Sequence, residues 1–282
     1  MAVATTVPTG RPVRKRRAAR PGALTRGSSL GLGVAMIWFS LLVLIPLAAV
    51  VVKASEGGWD AYIQTFTNPQ TRSALTLTVG SSLLATAINM VMGTLIAWVL
   101  VRDRFWGKRV LDVIIDIPFA LPTIVAGLVL LSLYGPQSPI GVDVANTRIA
   151  VFLAIAFVTL PFVVRTVQPV LEEMEVDVEE AAASLGASRS TTLRRIVLPT
   201  LTPAIFAGAA LSFARGIAEY GSLVLISGNL PNRTEVVSVR VLTYIENGDP
   251  ASAAAAATLM LIVALAVIVA LDVIQRRVAR RG

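Results

Sequence analysis

Arg215 and Glu219 stand four residues apart inside 198–226, a run with no other charge. On a helix that spacing puts them on one face. An ionisable group at membrane depth costs about 2.5–3.5 kcal/mol, so both must face protein or water. Two roles fit. Arg215 can line an anion path or gate, held by Glu219 with Tyr220 beside it, or the two can form a buried pair that only fixes helix packing. Asp112 and Asp116 repeat the four-residue spacing near one end of another apolar run, where Arg109 or Arg165 could meet them. Headgroup depth tolerates such charges, so their reading is structural. The chain has no cysteine and no histidine, which removes thiol nucleophiles, imidazole acid–base chemistry and the commonest zinc ligands. An intramembrane enzyme is the alternative of another class. It would need a serine with a lysine base or two aspartates on facing helices. Lys15, Lys53 and Lys108 lie outside the apolar runs, and Asp112 and Asp116 share one run. No G-x-x-x-x-G-K-[ST] occurs, so the chain has no phosphate-cradling loop of its own.

The elements that must position these residues are membrane spans. The chain has 282 residues, 55% of them hydrophobic and 15% charged, with a mean hydropathy of +0.74. That is the composition of a membrane protein. Apolar runs at 30–52, 73–101, 110–134, 149–170, 198–226 and 250–271 are each long enough to cross a bilayer as a helix. The expectation is an all-α polytopic protein with six transmembrane helices. Pro118 and Pro122 are expected to kink the third. Residues 1–29 read as a basic, disordered arm, and 30–282 as one transmembrane domain. Alternate loops collect eighteen of the 25 basic residues on one face and five on the other. By the positive-inside rule the richer face, with both termini, is cytoplasmic. The basic excess is then a topology signal, with membrane lipid as a secondary partner and no nucleic acid implied.

The stretch 172–199 carries six of the seventeen acids. Val170, Met174, Val178, Ala181, Ala182 and Leu185 recur at helical spacing on one face. Pro169 suits the first turn of such a helix, and Gly186 the left-handed position that ends it. Ser188 can cap a second short helix, which Pro199 limits. A helix–turn–helix at 169–198, lying at the membrane surface, is expected. Glu180-Ala181-Ala182, Gly186, Ile196 and Leu198-Pro199, with both gaps of the right length, resemble the cytoplasmic coupling motif of binding-protein-dependent ABC importer permeases. The resemblance implies a type I importer permease fold. It also implies a separate cytoplasmic ATPase dimer, which holds the ATP and magnesium, leaving no cofactor in this chain. Met174, Val178, Glu180, Ala181, Ala182, Gly186, Ile196, Leu198 and Pro199 would form the contact.

Further residues narrow the resemblance. The run Ala214-Arg215-Gly216-Ile217-Ala218-Glu219-Tyr220-Gly221-Ser222 is similar to the T-type subunit of sulfate/thiosulfate importer permeases. So are Ser227-Gly228-Asn229-Leu230-Pro231-Asn232-Arg233-Thr234-Glu235, 119–128 and Leu133-Tyr134-Gly135. The likeness runs from about residue 73 to the C-terminus. Ala218 departs from the family's usual glycine, which makes local loosening of the helix less secure. What the likeness implies is half of a translocation path, to which Arg215, Glu219 and Tyr220 would belong on the path-or-gate reading of that pair. It also implies a homologous second permease, two ATP-binding subunits, an extracytoplasmic sulfate-binding protein and a bacterial inner membrane. Molybdate/tungstate permeases share Ala-Arg-x-x-x-Glu and are the alternative, though their loop after the fifth span differs from Gly-Asn-Leu-Pro.

Overall fold

The computed structural model describes residues 26–279, all of it helix and connecting turn. Residues 1–25 of the basic arm lie outside the described residues; α1 (Arg26–Phe39) already begins within the segment expected to be irregular. The chain forms two compact units that meet at Ala48 and Ala49. The first contains α1, one wide turn at Ser40–Leu44 and the start of α2 (Ile45–Glu56). The apolar side chains of this span, Ser28–Glu56, are exposed over nearly its whole length, as suits a helix facing lipid.

The second unit continues with α3 (Gly58–Thr67), α4 (Pro69–Arg102), α5 (Lys108–Ala120), α6 (Thr123–Tyr134) and α7 (Arg148–Glu173). Then come α8 (Val176–Ser184), α9 (Arg189–Thr192), α10 (Leu198–Ile217), α11 (Gly221–Ile226), α12 (Val237–Glu246) and α13 (Pro250–Ala279). The polar segments 53–72 and 228–249, which separate apolar runs, are therefore partly helical. Among the described residues, five helices are long and apolar enough to span a bilayer, and a sixth span requires counting α5 and α6 as one. Those two are bent by 117°. The expected kink is a break, for two reasons. Pro122 has no N–H to give, and Leu121 before it is pushed to an extended conformation (φ −81°, ψ 136°).

Helices α4, α7 and α10 form the centre. Small residues let them close: a Cβ on Gly93 would lie 2.8 Å from the Val163 side chain, and one on Gly216 would lie 2.9 Å from that of Ile155. Two apolar clusters stack along them. One gathers Ala85, Ile155, Leu130, Leu223 and Val236; the other gathers Ala97, Leu100, Val164, Leu171 and Leu201. Between them Asn89 Nδ2 donates to Ala156 O (3.1 Å) and Thr159 Oγ1 (2.9 Å), so the polar layer is paired across α4 and α7.

Two five-residue π turns, Ser40–Leu44 and Leu193–Val197, each stop two residues short of a proline, Pro46 and Pro199. A proline ring clashes with the carbonyl four residues back, and widening the turn relieves that contact. Pro199 accordingly does not limit a helix. Arg189–Ile217 runs through it as one span.

Candidate functional site

At one end of the unit, α4 finishes at Arg102 and α7 at Glu173. Pro169 lies inside α7, not in the first turn of a surface helix. The surface helix expected at 169–198 is therefore shorter. It is α8, with Met174 and Glu175 extended before it and Gly186 at φ +83° after it. Gly186 is thus in the left-handed conformation its position called for. Ser188 caps α9 as expected, accepting from Thr191 N at 3.3 Å. The predicted apolar stripe is split. Val170 and Met174 pack on the Ala97–Leu201 cluster inside the unit. Val178, Glu180, Ala181 and Leu185 remain exposed, Leu185 at 90%. Ala182 and Ile196 are half-buried, while Leu198 and Pro199 are exposed at the head of α10. Glu179, one position from Glu180, turns the other way and meets Arg102 Nη2 at 2.7 Å. Arg102 was legible only as one of a cluster of basic residues, and Glu179 only as one acid among six.

The neighbouring carboxylates resolve as expected. Arg165 on α7 donates to both oxygens of Asp116, to Asp112 Oδ1, to the Asp112 carbonyl and to Gln168 Oε1, all at 2.6–2.7 Å. This fork fastens α5 to α7, which is a structural task.

Toward the other end lies the Arg215 pair. The two residues do not share a helix, because α10 stops at Ile217 and Glu219 sits in the three-residue break before α11. Loosening does occur there despite Ala218. The side chain of Glu219 is fully buried. Its Oε1 accepts from the Ser222 N–H (2.9 Å) and hydroxyl (2.8 Å), which covers the start of α11. Its Oε2 has Arg215 Nη1 at 2.6 Å. The Glu219 carbonyl takes the Ser238 hydroxyl at 2.8 Å, tying the break to α12. Arg215 keeps 29% of its side chain exposed, and Tyr220 38%. The buried acid thus holds a guanidinium that still reaches an open surface. α11 lies tight on α6: a Cβ on Gly127 would come 2.6 Å from Ser222 O.

The arrangement has two short helices (α6 and α11) packed together, an arginine held by a buried acid at a helix break, and a charged surface helix at the other end. Irregular backbone at membrane depth is tolerated where protein or a cavity surrounds it, and transporters use it so. The fold is that of a type I ABC importer permease. A bacterial alginate ABC transporter, solved in complex with its alginate pentasaccharide-bound periplasmic protein, matches 89% of this chain and 94% of its own at a TM-score of 0.73 and 19% identity. The MetNI methionine ABC transporter in inward-facing form matches at a TM-score of 0.56 and 16% identity, over 74% of this chain and 94% of its own. The chain belongs to the family of binding-protein-dependent transport system inner membrane components, whose pattern it fits over residues 89–281. That makes it a multi-pass transport permease subunit, not an enzyme. The sulfate transport system permease protein CysT of Salmonella typhimurium is 41% identical over 262 residues, 90% of this chain and 95% of its own. The Escherichia coli K12 protein of the same name is 40% identical over 262 residues, again 90% and 95% of the two chains. That of Synechocystis is 42% identical over 250, 86% of this chain and 87% of its own.

Proposed function

We propose that this chain is one of two membrane subunits of an ATP-driven sulfate/thiosulfate importer in a bacterial inner membrane. What carries the reading is identity of about 40%, sustained over nine-tenths of the chain, to permeases named for sulfate transport. It favours sulfate over the molybdate/tungstate alternative. A homologous second permease completes the path, and an extracytoplasmic sulfate-binding protein delivers the anion. Two ATP-binding subunits dock on the end bearing α8, where Val178, Glu180, Ala181, Ala182, Gly186, Ile196, Leu198 and Pro199 offer the contact. Met174 supports that surface from within. ATP and magnesium belong to those subunits. An exposed amphipathic face on a short helix fits a groove of a partner. Arg215, Glu219 and Tyr220 line the anion's route, with Glu219 as the holder of Arg215. Both termini and α8 face the cytoplasm, following the eighteen-to-five division of basic residues.

The test is uptake of radiolabelled sulfate into proteoliposomes holding the full complex, with the binding protein added outside. ATP-dependent uptake, competed by thiosulfate and not by molybdate, is expected. Molybdate uptake that sulfate fails to compete would transfer the substrate to the alternative.

A further inference from the structure

We propose that the Arg102–Glu179 ion pair is the link through which movement of α8 reaches the membrane core, which makes Arg102 a positioning residue for transport. This rests on reading α8 as the element that docks the ATPase.

None of the described side chains of α8 is fully buried. Its hydrogen bonds to the spans, among the described residues, come down to Arg102 Nη2 on Glu179 Oε1 at 2.7 Å. The backbone leaves the helical conformation on both flanks. Met174 and Glu175 are extended before it, and Gly186 is left-handed after it. A cleft of about 650 Å³ separates α8 from α4 and α10, lined among others by Trp98, Ala183, Leu193 and Leu201. Apolar packing therefore does not fasten the helix to the core, and it has space to swing.

The pair sits where a link should. Arg102 and Glu179 keep only 16% and 24% of their side chains exposed, so water and salt screen their attraction weakly. The same Nη2 also lies 3.3 Å from the Met174 carbonyl, at the hinge before α8. Arg102 Nε is buried and bonds nothing else. Arg102 is also the last residue of α4, a 34-residue helix. The far end of α4 holds α12 and the turn before it, through Gln70 Nε2 on Glu235 Oε2 (2.7 Å) and Thr71 Oγ1 with the Tyr244 hydroxyl (2.8 Å). A displacement of α8 that pulls on Arg102 is thus delivered along one rod to the opposite end of the unit. Glu179 pairs with Arg102, while Glu180 beside it is exposed at the rim of the cleft and, among the described residues, makes no ion pair with the spans.

The experiment uses the full complex in proteoliposomes and reads sulfate moved per ATP hydrolysed. Arg102→Glu and Glu179→Arg are each expected to co-purify with the ATPase and hydrolyse ATP, with sulfate per ATP lowered about tenfold, the scale of one lost coupling interaction. Arg102→Glu combined with Glu179→Arg restores the opposite charges and is expected to recover roughly half of the ratio. Arg102→Lys keeps the charge without the fork and should fall between; it carries the test if a charge reversal prevents assembly. A normal ratio in the single variants sinks the proposal, and so does low complex yield with a normal ratio in whatever assembles, since a mere staple behaves that way. Failure of the exchange to recover, at normal yield, sinks it as well. The unaltered complex separates the two readings: if it moves no sulfate, the substrate assignment falls, and the ratio is then taken with the oxyanion it does move.

Discussion

Glu219 serves two elements at once. One oxygen covers the start of α11 through Ser222, and the other holds Arg215. The spacing of four made the pair visible in the sequence, but not the break between its members. That break depends on a helix end at Ile217, for which only the neighbouring glycines gave a signal. Arg215→Met would leave a carboxylate buried and unpaired, a defect of about 3–5 kcal/mol, so complex yield is expected to collapse. Glu219→Gln added to it removes the charge and keeps a carbonyl oxygen for the Ser222 N–H. The double variant is therefore expected to assemble again. If Arg215 serves the anion, sulfate uptake stays absent in that assembled complex. Full uptake in the double variant would reduce the pair to packing and move the anion path to backbone donors or the partner permease. Arg102 and Glu179 show the limit of single-residue reading. Each looked like one charge among many, because only folding brings positions 77 apart to within 2.7 Å.

At the scale of elements, hydropathy located every long span but not the direction of the chain within it. The run 110–134 is apolar apart from Asp112 and Asp116 near one end, so counting residues made it one helix. The turn is written in Pro122 and in the extended Leu121 that precedes it. The stretch 169–198 failed the other way. Met174 and Glu175 are both compatible with helix and no glycine or proline marks them, so periodicity ran through a point where the backbone is extended. There the tie to Arg102 prevails over propensity. Close packing of α6 on α11 left a trace only as glycine. A Cβ at Gly127 would meet Ser222 backbone at 2.6 and 2.8 Å, which no side-chain rotation can relieve. Gly127→Ala is expected to destabilise the purified protein by about 1–3 kcal/mol, as overpacking does. Gly80, also helical, has nothing within 4 Å of its would-be Cβ, so Gly80→Ala should be neutral or slightly stabilising. Thermal unfolding followed by size-exclusion fluorescence compares the two. Equal midpoints would mean that α6 and α11 are not packed this tightly.

Across the whole transmembrane unit, the contacts between loops sort into two sets. Asn146 N bonds Ile226 O at 2.9 Å, Arg148 Nε bonds Arg233 O at 3.1 Å, and Gln70 bonds Glu235 at 2.7 Å. All of these belong to loops poor in basic residues. Arg102 bonds Glu179 instead, and Trp106, Lys108 and Arg109 line one cleft with Gln168 and Glu172, all from the basic-rich set. Two such ends, separated by the apolar clusters, are what six crossings require, with α5 and α6 together making one of them. The side each set faces is decided by charge: lysine and arginine are retained on the cytoplasmic side during insertion. The absence of cysteine lets single cysteines report it without background. Pro231 is exposed and is a better outer probe than Asn232, whose φ of +59° disfavours cysteine. Trp106, 99% exposed, is the inner probe. In intact cells with a permeable outer membrane, Pro231→Cys should react with an impermeant maleimide. Trp106→Cys should react only after the inner membrane is opened. The reverse pattern would place α8 outside, out of reach of any cytoplasmic ATPase, and would remove the basis for coupling through Arg102.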